Sequence, residues 1–258
     1  MMRSLWTAAS GMRAQQVNVD TIANNVANIN TIGYKSQQAS FKSLLYQNLQ
    51  STSTNNAGEN KPVAAEVGLG SRVAAITSTF TQGNLTHVEN PFSVALEGDG
   101  FFQIRTESGE LQYTRDGSFE ISPVANGNML CTSDGNPVLD AYGNQIILPS
   151  NRVATDLVVN QDGTLAFPDG TGNPAVITDA NGRPVKFGIY QFNNPAGLSK
   201  EGSNNYSVTV ASGAAVAENG NAAVKQTKTH QYYTEASNVD VANEMVNLIV
   251  AQIGRAHV

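Results

Sequence analysis

The sequence predicts an α+β fold. Terminal α-helices form a coiled-coil-like stalk, and a central, mainly-β domain of short strands lies between them. Three observations predict it. Ser4–Lys35 repeats apolar residues at heptad spacing, Ser237–Gln252 returns to that period, and the chain between carries short β-type runs punctuated by Asp-Gly and Asn-Gly.

In the first stretch, Leu5, Met12, Val19 and Val26 fall at heptad position a, and Ala8, Gln15, Ile22 and Ile29 at d, so Gln15 alone breaks the seam. The surrounding residues are polar but barely charged. No flanking salt-bridge pattern selects a two-stranded partner, which fits packing among many like copies. A solitary amphipathic helix in water is marginal, so this end is expected to order only among neighbours. Gly33 is expected to close the helix, because glycine tolerates the left-handed geometry of a helix end.

A second, short helical pattern is read at Phe41, Leu44, Leu45, Asn48 and Leu49. Gln50–Pro62 has almost no apolar content and reads as an extended or mobile connector. From Gly68 to Tyr233 the pattern is β, with runs at Arg72–Phe80, Phe92–Leu96, Phe101–Arg105 and Leu111–Arg115. The dipeptides Asp116-Gly117, Asp134-Gly135, Asp162-Gly163, Asp169-Gly170 and Asn181-Gly182 suit two-residue hairpin turns in which both central residues take positive φ. In the closing helix Ser237 or Asn238 is the expected cap, with Asp240 and Glu244 in the first turns. Val241, Met245, Leu248 and Gln252 follow a 3.5-residue period, flanked by Ile249. Two helices that need each other place the termini side by side and carry the β domain at the far end of the stalk. The expected division is 1–45 for the N-terminal helical part, 46–70 for a polar inserted segment, 71–235 for the β domain and 236–252 for the C-terminal helix.

The assembly interface expected from these seams comprises Leu5, Met12, Val19, Ile22, Val26 and Ile29 with Val241, Met245, Leu248 and Ile249. Composition narrows the partners. Charged residues make up 14% of the 258 and the net charge is −6, with no basic patch, which argues against nucleic acid and anionic membrane. Cys131 is the single cysteine, and His87, His230 and His257 lack ligand spacing, so no metal or cofactor is expected. The N-terminus lacks the apolar run of a cleavable secretory signal, and nothing approaches the ~20 apolar residues of a membrane span. The protein either stays inside the cell or leaves by a route that reads an uncleaved terminus.

The blocks that carry a resemblance are ANNVANINTIGYK at Ala23–Lys35, GDGFFQI at Gly98–Ile104, YTRDGSFEI at Tyr113–Ile121 and EASNVDVANEMVNLIVAQ at Glu235–Gln252. In this order they resemble the bacterial flagellar axial family of rod and hook proteins. The motif residues are Ala23, Asn24, Asn25, Ala27, Asn28, Gly33, Tyr34 and Lys35 at one end, and Ser237, Asn238 and Val239 at the other. Chain length and the polar segment Tyr46–Gly70 resemble the distal-rod branch, where such an insertion is thought to stiffen a joint. By that resemblance the connector is ordered in the assembly.

The resemblance implies subunits that stack helically into a hollow shaft transmitting torque from motor to hook, with terminal helices as the inner tube and β domains as the outer shell. It implies as partners further copies of the chain, other rod subunits, the hook protein, basal-body ring proteins and the flagellar type III export apparatus. The location implied is the basal-body rod across the periplasm and outer-membrane region, reached without a cleaved signal. A proximal rod or hook subunit is the alternative within the family. The family helix continues past Gln252, whereas Ile253–Val258 back-translates to ATC GGA AGA GCA CAC GTC, a run matching a commonly used sequencing adapter. It is therefore read as a non-native tail on a truncated C-terminus, which resequencing the locus decides.

Two readings from other classes compete. Asp99, Asp116, Asp134 and Asp162 are candidate carboxylates for a polysaccharide-cleaving enzyme, yet each precedes glycine, where aspartate is a routine turn former. A secreted β-rich adhesin would use Tyr113, Phe119, Tyr142, Tyr190 and Phe192, but it leaves the paired terminal helices unexplained, and such aromatics more often pack a core.

Overall fold

A computed structural model describes residues 2–50, 65–125, 127–150, 152–168, 174–179, 181–221 and 224–257. The expected connector lies outside these from residue 51 onward, as does the Asp169-Gly170 turn. The chain divides into two units: Met1–Ala27 with Gln37–Ser78 and Asp240–Val258, and Asn28–Ser36 with Thr79–Val239. The termini share the first unit, and most of the β structure forms the second.

In the first unit, helix α1 spans Met2–Ala27 and helix α2 spans Val241–His257. Asn25 donates to Glu244 (2.9 Å) and Arg255 donates to Gln16 (2.8 Å), so the two helices run antiparallel. The face that α1 buries is Ala14, Thr21, Ile22 and Asn25. The helix stops at Ala27 and not near Gly33, which leaves Ile29 of the expected seam beyond it. The Asn-Ile-Asn-Thr run accounts for the early stop, because Asn and Thr side chains compete with the helical backbone. Thr31 Oγ1 bonds Asn28 Oδ1 there at 3.2 Å.

The expected short helix around Phe41–Leu49 is instead two strands, Gln37–Ser43 and Tyr46–Gln50. The first pairs antiparallel with Ser71–Ser78 and the second with Ala65–Gly68. An i, i+3, i+4 apolar spacing in so short a run does not separate helix from strand, and a pairing partner farther along the chain decides it. Consequently the run expected to open the β domain, Arg72–Phe80, falls largely within the first unit. The cap of α2 is Asp240 and not Ser237 or Asn238: its Oδ1 accepts from the amides of Ala242 (3.0 Å) and Asn243 (3.5 Å).

The second unit is built on a six-stranded antiparallel sheet. Its strand order is Ser199–Gly202, Asn205–Ser207, Leu111–Thr114, Phe101–Arg105, Ile189–Gln191 and Val216–Ala217. The strand Phe101–Arg105 is near its middle and is buried on both faces, Gln103 included. Phe102 and Ile104 point into the main core with Val94, Leu96, Phe119, Leu130 and Phe187. Phe101 points the other way, into an aromatic cluster with Tyr113, Phe192 and Tyr206. Tyr113, Phe119 and Phe192 are thus core residues, whereas Tyr142 is exposed beneath the guanidinium of Arg183, 5.0 Å from its ring centre.

Five hairpins share one bonding pattern. Thr106, Thr132, Asp140, Asn160 and Asp179 each accept at their carbonyl from the glycine amide three residues on, and each donates to the carbonyl four residues on. Among the described residues of these loops, only the glycines (109, 135, 143, 163 and 182) take positive φ, between 73° and 86°. These are three-residue loops ending in a left-handed glycine, and not the expected two-residue turns with two positive-φ residues.

Candidate functional site

Most of the quoted motif blocks meet inside the second unit. Gly33 has φ of 68°, and a Cβ built there would lie 2.9 Å from the amide nitrogen of Asp116 and 3.0 Å from the carbonyl carbon of Arg115. Glycine is therefore required both for its dihedral and for close approach to the YTRDG turn. We expect Gly33→Ala to cost about 1–3 kcal/mol from its left-handed backbone alone, read as a lower urea midpoint. An unchanged midpoint would contradict the tight approach.

Beyond Gly33 the side chains of Tyr34 and Lys35 are buried. The Lys35 ammonium donates to Glu235 Oε1 (2.6 Å) and to the carbonyl of Thr81 (2.8 Å). Glu235 Oε1 also accepts from the amide of Gly83 (2.8 Å), and its Oε2 lies 3.5 Å from Arg115 Nη1. Lys35, Arg115 and Glu235 are 0–2% exposed. The Arg115 guanidinium also stacks over Phe101, 4.9 Å from the ring centre. Burial pushes the Lys35 pKa below its usual range, against the upward pull of Glu235, and burial likewise lowers that of Arg115.

The backbone around this charge cluster is tied as closely. Gly33 donates to the carbonyl of Glu235 (2.8 Å), Thr79 to that of Ser36 (2.8 Å) and Ala236 to that of Asn84 (2.9 Å). Asn238 Oδ1 accepts from the Ser36 amide (2.7 Å), and its Nδ2 donates to the carbonyls of Thr79 (2.8 Å) and Thr81 (3.2 Å). Asn204 Nδ2 holds the carbonyl of Ile32 (2.7 Å). Three segments separated widely in sequence (32–36, 79–84 and 235–238) are thus bound to one another by side chains that leave little polar capacity for a ligand.

The other motif residues lie apart from this cluster. Asn25 is buried in the first unit, where its amide group both donates to and accepts from the backbone of Gln37 (2.8 Å each). Ala23, Asn24 and Ala27 are exposed, Asn28 is half-buried at the start of the turn after α1, and Ser237 and Val239 are half-buried beside Asn238. The expected interface residues are mostly on the surface. Leu5 is 67% exposed, Met245 53% and Ile249 56%; Met12 and Val241 are also exposed, Val19, Val26, Ile29 and Leu248 are half-buried, and Ile22 alone is buried. Arg115, Glu235, Thr81 and Asn204 were not singled out by sequence reasoning. Arg115 and Glu235 do stand inside quoted motif blocks, and a charged residue in so charge-poor a chain is the signal that could have marked them.

Two of the four candidate carboxylates, Asp116 and Asp162, serve turns. Asp116 Oδ1 accepts from both the amide (2.9 Å) and the hydroxyl (2.6 Å) of Ser118, and Asp162 Oδ1 accepts from the hydroxyl of Thr164 (2.8 Å).

Residues 5–35 match the family described as flagella basal body rod protein, 95–167 the flagellar hook protein FlgE/F/G D1 domain, and 230–253 the flagellar basal body rod FlgEFG protein C-terminal region. The flagellar basal-body rod protein FlgG of Borreliella burgdorferi is 40% identical over 98% of this chain and 90% of its own length. The chain belongs to the flagellar basal-body rod protein family. The FlgG proteins of Caulobacter vibrioides (36% identical, 97% of this chain and 90% of theirs) and Bacillus subtilis (34%, 98% and 91%) agree. As a rod-family protein it is a structural component of the flagellum and not an enzyme, and the adhesin reading falls with the enzyme one. Each of the three matched regions supplies a residue of the buried cluster: Lys35 closes the first, Arg115 lies in the second and Glu235 in the third.

Proposed function

We propose that this protein is the distal-rod subunit of the flagellar basal body, polymerising helically into the hollow shaft that carries torque from motor to hook. The observation that carries the reading is the apolar surface of the terminal helices: Leu5, Trp6 and Met12 on α1, and Met245, Ile249 and Val250 on α2, are all exposed. A protein that displays such stripes at both ends of its chain has surface to bury against others. In the polymer the stripes pack against neighbouring copies in a coiled-coil-like seam. The contact is heterologous, with α1 of one copy meeting a different surface of the next, so it propagates along a helix and does not close a dimer. The same reading places the subunit in the rod across the periplasm and outer membrane. Other rod subunits, hook protein and ring proteins are its neighbours, and export proceeds through the flagellar apparatus without a cleaved signal.

Ile249→Asp tests it. Burying one isoleucine contributes about 1.5–3 kcal/mol per contact, so the concentration needed for polymerisation should rise at least about tenfold, by sedimentation. Because Ile249 lies in α2, the melting of the β body should be unchanged. Polymerisation at the parent concentration would count against the reading.

A further inference from the structure

Resting on that reading, we infer that Lys35, Arg115 and Glu235 form a register lock, a set of positioning residues whose work is to hold the body's connecting segments in one alignment and not to stabilise the body. The chain passes between its two units four times, after Ala27, Ser36, Ser78 and Val239. Three of those crossings lie within a few residues of the segments that the cluster binds: 32–36, 79–84 and 235–238. A single carboxylate oxygen, Glu235 Oε1, takes the Lys35 ammonium from one segment and the Gly83 amide from another. Lys35 in turn reaches the carbonyl of Thr81. Arg115 anchors the carboxylate to the six-stranded sheet through its contact with Phe101.

Burying three charges is a poor way to gain stability, because well-packed apolar side chains of similar volume usually do as well or better. What charges gain is selectivity. A one-residue slip of any segment would leave a buried ammonium or carboxylate unpaired, whereas an apolar contact would tolerate the slip. The cluster shows the expected tension: two cations share one carboxylate, and Arg115 Nε has no hydrogen-bond partner among the described residues. A helical polymer needs every copy to send out its connecting segments in the same alignment, and that is what the lock supplies.

The test uses the full chain carrying Lys35→Met, Arg115→Met and Glu235→Leu together, with the isosteric Glu235→Gln as a second variant. The readouts are melting of the β body, hydrogen exchange at the amides of Gly33, Ser36, Thr79 and Ala236, and polymerisation by sedimentation. None of those four amides bonds a replaced side chain; their acceptors are the carbonyls of Glu235, Ser36 and Asn84 and the side chain of Asn238. The lock predicts a body that melts cooperatively near the parent temperature in at least one variant, amides that exchange at least about tenfold faster, and polymerisation weakened at least about tenfold. Amides exchanging at the parent rate would overturn it. A body that no longer melts cooperatively in either variant would also overturn it, since the charges would then be part of the body's stability. If the unmodified chain fails to polymerise, the rod reading fails, and amide exchange still decides the lock.

Discussion

Removing only the carboxylate, in Glu235→Ala, will destabilise the β body by about 3–5 kcal/mol, the usual cost of leaving a buried ion-pair partner uncompensated. Lys35 and Arg115 would then lose their paired carboxylate at sites no more than 2% exposed, and the Gly83 amide would lose its acceptor. For a body of this size the loss corresponds to a fall of roughly 6–20 °C in melting temperature. The loss should be nearly the same in low and high salt, because a buried cluster is poorly screened. The contrast with full apolar replacement is the informative part: taking one charge is expensive, whereas taking all three is close to neutral. A loss below about 1 kcal/mol for Glu235→Ala would mean that water reaches the cluster and that the pairing is a surface one.

Phe102→Ala will cost a comparable amount, about 3–5 kcal/mol, for a different reason. Phe102 is fully buried, edge-on to Phe119 at 5.0 Å and to Phe187 at 5.4 Å between ring centres. Truncation opens a cavity beside a strand that is packed on both faces and has little freedom to collapse into it. Chemical denaturation should show the loss in the midpoint, with the denaturant slope unchanged. Val210→Ala, on a fully exposed side chain, should stay within about 0.5 kcal/mol. Equal effects at the two positions would contradict the core assignment.

What could be read from the sequence was what is written locally. The strand Phe101–Arg105 announces itself by its paired phenylalanines and Ile104 just after a turn glycine, and the two terminal helices by their period. The turns announce themselves by glycine, although their type was misjudged because the preceding Asp or Asn keeps negative φ. The misreadings occur where a distant segment decides. Phe41 to Leu49 has helical spacing, and only pairing with Ser71–Ser78 and Ala65–Gly68 makes it sheet. Asn238 looks like a helix cap but is drawn instead to Ser36 and Thr79. Lys35 was legible as a motif residue, whereas its partner Glu235 lies 200 positions along the chain, and nothing local to either residue names the other.

The exposed stripes of the terminal helices are the centre of the account, and thiol labelling of Ile249→Cys measures their fate directly. The background is low, since the single native cysteine, Cys131, is buried. A rod subunit predicts rapid labelling in dilute solution, where residue 249 faces solvent, and labelling slowed at least about tenfold once the chain has polymerised. Equal labelling rates in monomer and polymer would contradict it, because the polymer would then be built from some other surface.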